Sequence, residues 1–180
     1  MKKLGILLIL FVFAQNLQAQ KYMTQNGVIS FFSSTPIEDI EAINNQVSAV
    51  LNADNGEIAS ALLMKSFNFE KALMQEHFNE KFVESEKYPK STFKGKILDF
   101  DQLKLSESPQ KVKIVGVLSI HGVAKEIKVD GLLVSKDDKM DLKFKFNVEV
   151  ADYNIEIPGA VKEKIAKTIE ISSHFTMNKM

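Results

Sequence analysis

The sequence predicts an all-β domain in which about eight antiparallel strands close into a barrel, with one or two short helices. Apolar and polar residues alternate with period two through most of the chain after residue 20, as in strands with one buried face. Residues that favour turns recur between these runs. The length of 180 residues, with 45% hydrophobic and 26% charged residues, fits one globular domain.

Residues 1–19 are predicted to be a secretory signal peptide, which leaves 20–180 as the mature domain. Met1-Lys2-Lys3 forms a positively charged start, residues 4–14 are continuously apolar, and Ala19 offers a cleavage position. This apolar stretch is too short to cross a bilayer, which takes about 20 residues. We therefore expect an exported protein, periplasmic or secreted, without a membrane span.

The first half of the mature chain contains four predicted strands. Asparagine, aspartate, glycine and proline between them favour tight turns. The predicted turns are Asn26-Gly27, Asp54-Asn55-Gly56 and Tyr88-Pro89. The predicted strands are residues 28–33, 43–51, 58–67 and 92–100.

Four more strands are predicted in the second half, where the alternation is clearest. Every second position from Met140 to Val150 is apolar, and the positions between them are polar or charged. Residues 169–177 repeat this pattern. Upstream of both, residues 112–120 and 127–133 form a predicted hairpin that turns near Gly122.

Two segments, 70–82 and 158–167, depart from period two and predict short helices. Pro158 suits the first turn of the second segment, because its missing N–H has no helical partner there. The apolar side chains at helical spacing are Leu73, Met74, Phe78 and Phe82 in the first segment, and Val161 and Ile165 in the second.

Half-apolar strands joined by short turns hide their edges by closing into a barrel, and two packed sheets are the alternative. About eight strands leave an interior just wide enough for one small or slender ligand, unless inward side chains fill it. The pattern alone fits both a hollow barrel and a packed one.

Composition argues against several classes of function. All 23 basic residues are lysines, balanced by 23 acidic residues, and the absence of arginine argues against a nucleic-acid partner. Cysteine is absent, which excludes disulfides and thiolate chemistry. Asp99 and Asp101 lack the glycine and glutamate of a calcium loop, which argues against a calcium site. We expect no metal ion and no other cofactor. Lys139, Lys143 and Lys145 are interpreted as a solvated outer face.

The three histidines are interpreted as structural. His77 has no second histidine at metal-binding spacing and is predicted to make a helix contact. His121 shares a strand face with Ser119, but no nucleophile elbow or orienting acid accompanies them, so we predict a turn-side hydrogen bond. His174 is predicted to be solvated. We therefore expect a protein that is not an enzyme.

Longer stretches of the chain carry a family resemblance through their order and spacing. They are Leu73-Met74-Gln75-Glu76-His77-Phe78-Asn79-Glu80, Glu84-Ser85-Glu86-Lys87-Tyr88-Pro89, Phe93-Lys94-Gly95-Lys96-Ile97, Gly116-Val117-Leu118-Ser119-Ile120-His121-Gly122-Val123-Ala124-Lys125 and Asp152-Tyr153-Asn154-Ile155-Glu156-Ile157-Pro158. Together they resemble the YceI-like family over nearly the whole mature chain. The resemblance implies an exported, lipocalin-like antiparallel barrel, often dimeric, whose apolar tunnel holds an isoprenoid chain or another long amphiphile.

Large apolar side chains dominate the predicted inward positions. Their non-directional contacts suit a hydrocarbon chain and a packed core equally, and the family resemblance favours the hydrocarbon chain. The predicted lining is Phe67, Phe69, Leu73, Met74, Phe78, Phe82, Phe93, Leu118, Ile120, Leu142, Phe144, Phe146 and Phe175. Tyr88 and Tyr153, each with an apolar ring and one hydroxyl, are predicted at the cavity mouth beside a lipid head group.

The predicted function is therefore that of an exported, non-enzymatic binding protein. It holds an isoprenoid-like or other long-chain amphiphile in an apolar barrel interior, for carriage or sequestration. The alternative is a filled barrel that serves as a structural or interaction protein of the cell envelope without a lipid ligand. A homodimer is compatible with both.

Overall fold

The computed structural model describes residues 20–180, and the predicted signal peptide lies outside the described residues. The described chain contains nine strands and one short α-helix, α1, which continues into a π-helical turn. The strands are β1 (Lys21–Ser34), β2 (Asp39–Asn52), β3 (Glu57–Leu63), β4 (Asn68–Phe69), β5 (Lys90–Ile97), β6 (Gln110–Ile120), β7 (Val123–Lys136), β8 (Lys139–Glu149) and β9 (Thr168–Lys179). The helix α1 is Ala72–His77 and the π-helical turn is Phe78–Phe82.

Eight of these strands form one closed antiparallel barrel. Their order is β1, β9, β8, β7, β6, β5, β3 and β2, and β1 pairs with β2 to close the sheet. The two-residue strand β4 pairs only with the start of β2. The predicted eight-stranded antiparallel barrel with a short helix is confirmed, and the two-sheet alternative is wrong.

The predicted hairpin near Gly122 is confirmed, and its turn is tighter than the predicted strand bounds imply, because β7 begins at Val123 rather than at Ile127. Ile120 pairs with Val123, so two residues make the connection. Both have positive φ, 51° at His121 and 74° at Gly122, as a two-residue turn between twisted strands requires. Without a side chain, Gly122 also lets the ring of Tyr88 lie close to the turn.

The predicted turn at Asn26-Gly27 is wrong, because β1 runs through both residues. The register with β2 shifts between Thr24 and Gly27, which marks a β-bulge. A Cβ at Gly27 would lie 2.8 Å from Cδ1 of Phe175, so glycine is needed here for close approach. A glycine in a strand pattern signals a bulge as readily as a turn.

The predicted helices are confirmed in part. The first predicted segment, residues 70–82, is helical from Ala72 to Phe82. The second, 158–167, contains only a 3₁₀ turn at Gly159–Val161 and continues as irregular turns. A ten-residue segment is too short to hold a helix by propensity alone, so tertiary contacts decide its shape.

The two ends of the barrel differ in packing. At the end where β8 begins, inward side chains fill the interior and are almost completely inaccessible to solvent. This closed end contains Leu51, Ile97, Ile114, Leu133, Met140, Leu142, Phe175 and Met177. At the opposite end, where β8 finishes, the interior is hollow.

On the outer face, His174 is paired rather than simply solvated. Its Nε2 lies 2.6 Å from Oδ2 of Asp141, and the hydroxyl of Thr176 donates to the same oxygen at 2.8 Å. Partial burial raises the pKa of Asp141, but the hydrogen bonds from His174 and Thr176, with the charges of His174 and Lys143, outweigh it. The pKa of Asp141 therefore lies below its ordinary value.

Replacing Asp141 with asparagine should lower the free energy of unfolding by about 1 kcal/mol near neutral pH, because hydrogen bonds to the carboxylate are weakened. The carboxylate contributes fully above its unfolded pKa of about 3.9, and this contribution is lost as pH falls through the lower native pKa. Urea unfolding of both proteins between about pH 6 and pH 2.5 measures the difference. A difference that stays constant through this window would contradict the assignment, and Asp138→Asn on the exposed neighbouring turn is the control.

Candidate functional site: an apolar cavity in the open half of the barrel

The hollow end of the barrel encloses a cavity of about 480 Å³. Its wall comes from the ends of β1, β3, β6 and β8 and the starts of β2, β5, β7 and β9, which meet at this end because the strands are antiparallel. Inward positions along each strand recur at every second residue. Phe144, Phe146 and Val148 of β8 face the cavity in this way.

Eleven of the thirteen predicted lining residues border this cavity. They are Phe67, Phe69, Leu73, Met74, Phe78, Phe82, Phe93, Leu118, Ile120, Phe144 and Phe146. Their contact with a ligand stays a prediction, since the structure contains none.

Leu142 and Phe175 do not border the cavity. Both are fully buried in the closed end of the barrel, and the ring of Phe175 lies 5.8 Å from that of Phe144, edge to face. They point inward as the alternation predicts, but they lie one layer deeper, where side chains fill the interior. Strand periodicity reports the direction of a side chain and not the depth at which the cavity ends.

A cluster of phenylalanines covers one side of the open end. Phe31 of β1 contacts Phe67, Phe69 and Phe78, with ring centroids between 5.3 and 5.6 Å apart. Phe78 in turn lies 5.1 Å from Phe69 and 5.7 Å from Phe67. These contacts fix the helical segment 72–82 as a cap on the barrel.

Two parts of the wall were not predicted from the sequence. Ile29 and Phe31 come from β1, where Val28 and Phe32 are apolar as well, so the alternation does not mark an inward face there. The second part is the segment that follows β8. It contributes Ile155, Ile157, Val161 and Ile165, whose spacing fits neither one strand nor one helix.

The charged and ionisable side chains at the cavity belong to segments that flank its opening. Glu38 precedes β2, Lys71 precedes α1, His77 ends α1, and Lys164 follows the 3₁₀ turn at Gly159–Val161. Lys71 Nζ lies 3.2 Å from Oε1 of Glu38. We call these four residues the charged rim. His77, which the sequence predicts to make a helix contact, borders the cavity from the end of α1.

Tyr88 and Tyr153 do not border the cavity, and their predicted place at its mouth stays a prediction. The Tyr88 ring packs edge to face on His121, with centroids 4.4 Å apart. Tyr153 is buried, and burial together with the charge of Asp152 raises the pKa of its phenol. The 3₁₀ turn at Val150–Tyr153 and the positive φ of Asn154 end the alternation of β8 before the chain reaches the wall again at Ile155.

His121 makes the predicted turn-side hydrogen bond and a second polar contact. Its Nδ1 lies 3.0 Å from the carbonyl oxygen of Tyr153, and its Nε2 lies 2.8 Å from Oε2 of Glu84. The two contacts join the segment after the cap, the β6–β7 turn and the segment after β8. These contacts hold three neighbouring segments together around the open end. Neither nitrogen of the His121 ring contacts Ser119.

Within residues 20–180, no three histidine, aspartate or glutamate side chains gather where they could hold a metal ion. In the same part of the chain, every helix is too short or too polar to cross a membrane.

Comparisons with known proteins agree on one fold. Residues 21–177 match the YceI-like domain. A polyisoprenoid-binding domain from Saccharophagus degradans superimposes with a TM-score of 0.77 at 14% identity, covering 91% of this chain and 100% of that domain. BcnA from Burkholderia cenocepacia gives a TM-score of 0.70 at 16% identity, covering 84% and 95%.

A YceI protein from Campylobacter jejuni gives a TM-score of 0.59 at 18% identity, covering 76% of this chain and 83% of that one. At such identities these superpositions establish the fold alone. No curated protein matches the sequence.

Proposed function

The chain belongs to the YceI-like domain family, and from that premise we propose that it is an exported binding protein for one long-chain amphiphile. The ligand is isoprenoid-like or fatty, and its hydrocarbon tail lies in the open half of the barrel. The observation that carries the proposal is the cavity of about 480 Å³ with its almost wholly apolar wall. The protein acts by holding and shielding the ligand, for carriage or sequestration, without chemistry of its own.

The physical chemistry of the wall supports this occupant. Each methylene transferred from water to an apolar site contributes about 0.8 kcal/mol, so about ten methylenes contribute on the order of 8 kcal/mol before the costs of binding. Aromatic rings and methionine adapt to a chain without requiring directional contacts. The filled-barrel alternative is disfavoured, since folded proteins seldom leave so large an apolar space within a core.

Export and an isoprenoid ligand are supported by separate observations. The charged start, apolar stretch and Ala19 of residues 1–19 have the features of a cleaved signal peptide. The Saccharophagus degradans domain with the same fold is described as polyisoprenoid-binding. We extend both properties to this chain as part of the proposal.

Mass spectrometry of the exported protein tests the proposal. The full chain with its signal is expressed in an export-competent bacterium, and the protein is recovered from the export compartment. We expect an intact mass that corresponds to residues 20–180 and, under native conditions, a stoichiometric adduct that organic solvent extracts as a long-chain lipid. An empty protein that also fails to take up added isoprenoids and fatty acids would overturn the proposal.

A further inference from the structure

One histidine joins the cap to the opposite side of the open end through a contact that depends on its charge. We infer that doubly protonated His121 holds the cap closed through Glu84, and that loss of one ring proton above about pH 7 releases the cap and opens the cavity. We call this pair the latch, and residues 64–89, which connect β3 to β5 and contain the cap, the cap loop. The inference concerns access to the cavity and goes beyond the proposed binding function.

Both ring nitrogens of His121 face hydrogen-bond acceptors. Nδ1 lies 3.0 Å from the carbonyl oxygen of Tyr153, and Nε2 lies 2.8 Å from Oε2 of Glu84. A neutral imidazole has one N–H and one lone pair, so it satisfies only one of the two acceptors. The imidazolium donates to both, and its bond to the carboxylate is then charge-assisted. The observed geometry is therefore that of the protonated ring.

The latch is complete only over a limited range of pH. A glutamate carboxyl is ordinarily ionised above about pH 5, and a histidine ring ordinarily loses its second proton near pH 6.5. At about pH 5.5 both partners are therefore charged and attract each other. As the pH rises through the range in which the imidazole titrates, Nε2 loses its proton, a lone pair faces the carboxylate oxygen, and the attraction is lost.

The titratable and charged groups around His121 come from the cap loop, from the segment after β8 and from β7. They are Glu84, Lys87, Tyr88, Lys125, Asp152 and Tyr153. Lys87 Nζ lies 4.0 Å from Oε1 of Glu84, and Lys125 Nζ lies 3.4 Å from Oδ1 of Asp152. Carboxylates and lysines ordinarily keep their charges between about pH 5.5 and 8.5, and tyrosines stay neutral. His121 is therefore the group whose change of charge operates the latch.

Within residues 20–180, the Glu84 contact is the only polar one between the cap loop and this side of the barrel. The other hydrogen bonds and ion pairs that join the cap loop to the rest of the described chain lead to β2 or to Glu38 just before it. They are the pairing of β4 with β2 and the contacts of Ser66 with Gln46, Asn68 with Ile43 and Lys71 with Glu38. Loss of the Glu84 contact therefore frees residues 83–88, while the other end of the cap loop stays attached.

Glu84 has a strained backbone that the latch helps to hold. Its φ is 43°, in the left-handed region, at the position after a helical turn where glycine is the usual residue. Such a conformation persists where surrounding contacts hold it. The N–H groups of Lys87 and Tyr88 both donate to the carbonyl oxygen of Glu84 at 2.8 Å. Once the carboxylate is released, the backbone of Glu84 relaxes and these two hydrogen bonds open.

Release of the latch opens the wall of the cavity. Val83 immediately precedes Glu84, Ile120 immediately precedes His121, and both border the cavity. Ile155 borders it from the third segment that the histidine joins. The latch therefore spans a boundary between separate segments of the apolar wall. Movement of residues 83–88 away from this boundary exposes the interior to solvent.

Hydrogen exchange of the exported protein, resolved by residue with NMR, tests the latch without any ligand. The reporters are the amides of Ser85, Lys87 and Tyr88, which donate to carbonyl groups within the cap loop. Protection factors correct for the intrinsic effect of pH on exchange. Between about pH 5.5 and 8.5 we expect them to fall at least about 10-fold, with those of β8 unchanged within about 2-fold. Cap-loop protection that does not change with pH would overturn the latch.

Two variants assign the effect to the pair. Glu84→Gln should stay closed at both pH values, because its amide oxygen accepts from the protonated ring and its amide N–H donates to the neutral one. His121→Asn suits the positive φ of the turn but has too short a side chain for the contact, so protection should be low at both pH values. Full pH dependence in either variant would contradict the assignment.

Two control variants exclude other groups of the cap loop. His77 is the second histidine of the cap loop, and His77→Gln should keep the full pH dependence. Glu86 is exposed and pairs with Lys65 rather than with a histidine, so Glu86→Gln should keep it as well. Loss of the pH dependence in His77→Gln would assign the switch to that residue and overturn the role of His121.

Entry of an uncharged dye tests the consequence for the cavity. N-phenyl-1-naphthylamine becomes fluorescent in apolar surroundings, and its entry is followed by stopped flow. We expect entry about 10-fold faster at about pH 8.5 than at about pH 5.5, and slow entry into Glu84→Gln at both. Equal rates would overturn the opening of the cavity by the latch. Failure of the dye to enter at either pH would count against the proposed function, while amide exchange still decides whether the latch exists.

Discussion

Replacing Ser173 with phenylalanine is expected to weaken the binding of a 15-carbon amphiphile about 100-fold while leaving the barrel folded. Ser173 is buried, borders the cavity and pairs with Phe144 on one side and Ile29 on the other, at the floor of the hollow half. A phenyl ring needs the space of four or five water molecules, on the order of 130 Å³. Its ring would take the place of the tail's last carbons.

The magnitude follows from the lost burial. About four methylenes no longer fit, and at about 0.8 kcal/mol each they account for about 3 kcal/mol, or roughly 100-fold in affinity. Equilibrium dialysis with farnesyl phosphate measures the loss, and geranyl phosphate, which is five carbons shorter, should lose much less. This selective loss for the longer chain distinguishes a shortened cavity from general damage.

The matched control is the neighbouring residue on the same strand. Ser172 is half-buried and lies on the opposite face of β9, outside the cavity wall, so Ser172→Phe should leave binding within about 2-fold. Unchanged binding by Ser173→Phe would mean that the tail does not reach the cavity floor. Equal losses from both variants would attribute the effect to the strand rather than to the cavity.

The second large effect is expected from Gly116→Ala, which should lower the free energy of unfolding by about 3 kcal/mol. Gly116 of β6 pairs directly with Gly95 of β5. A Cβ at Gly116 would lie 2.5 Å from the Cα of Gly95 and from the carbonyl oxygen of Lys94, and 2.6 Å from Cζ of Phe93. Two of these atoms belong to the backbone of β5, so the strands would have to separate.

The glycine pair also positions a side chain of the site. The Phe93 ring packs across both glycines and borders the cavity. An aromatic ring over a cross-strand glycine protects backbone that has no side chain of its own. A methyl group at Gly116 should therefore move the ring as well as the strands, and tail binding should weaken together with stability.

Urea unfolding of Gly116→Ala and Gly159→Ala provides the comparison. A Cβ at Gly159 meets no atom within 4 Å, so the second variant should differ from the unmodified protein by less than about 0.5 kcal/mol. Similar stability of the two variants would show that β5 and β6 adjust to the methyl group at little cost.

Much of the fold was predictable because its signals are local. The alternation of Met140 to Val150 identifies both β8 and its inward face, and Gly122 marks the position of the hairpin turn between β6 and β7. Where a local signal has two meanings, the prediction was wrong. Asn26-Gly27 lies in a β-bulge, and its glycine leaves room for the ring of Phe175, a residue almost 150 positions away in the chain.

The candidate site was predictable in its chemistry and less so in its extent. Phe144 and Phe175 have the same inward direction on paired strands, yet only Phe144 borders the cavity. Tyr153 and Ile155 are two residues apart, yet only Ile155 reaches the wall, because a 3₁₀ turn and the positive φ of Asn154 intervene.

The sequence by itself determined the family, most of the strands, the inward face of strands such as β8 and the apolar nature of the interior, since all of these are recorded in the order of neighbouring residues. Only the tertiary structure decided where the hollow half ends, which segments cap it and which charges meet at its rim. Glu38, Lys71 and Lys164 all border the cavity from loops at one end of the barrel, where Lys71 pairs with Glu38. Cavity depth and rim charge depend on packing between distant segments, which local periodicity does not encode.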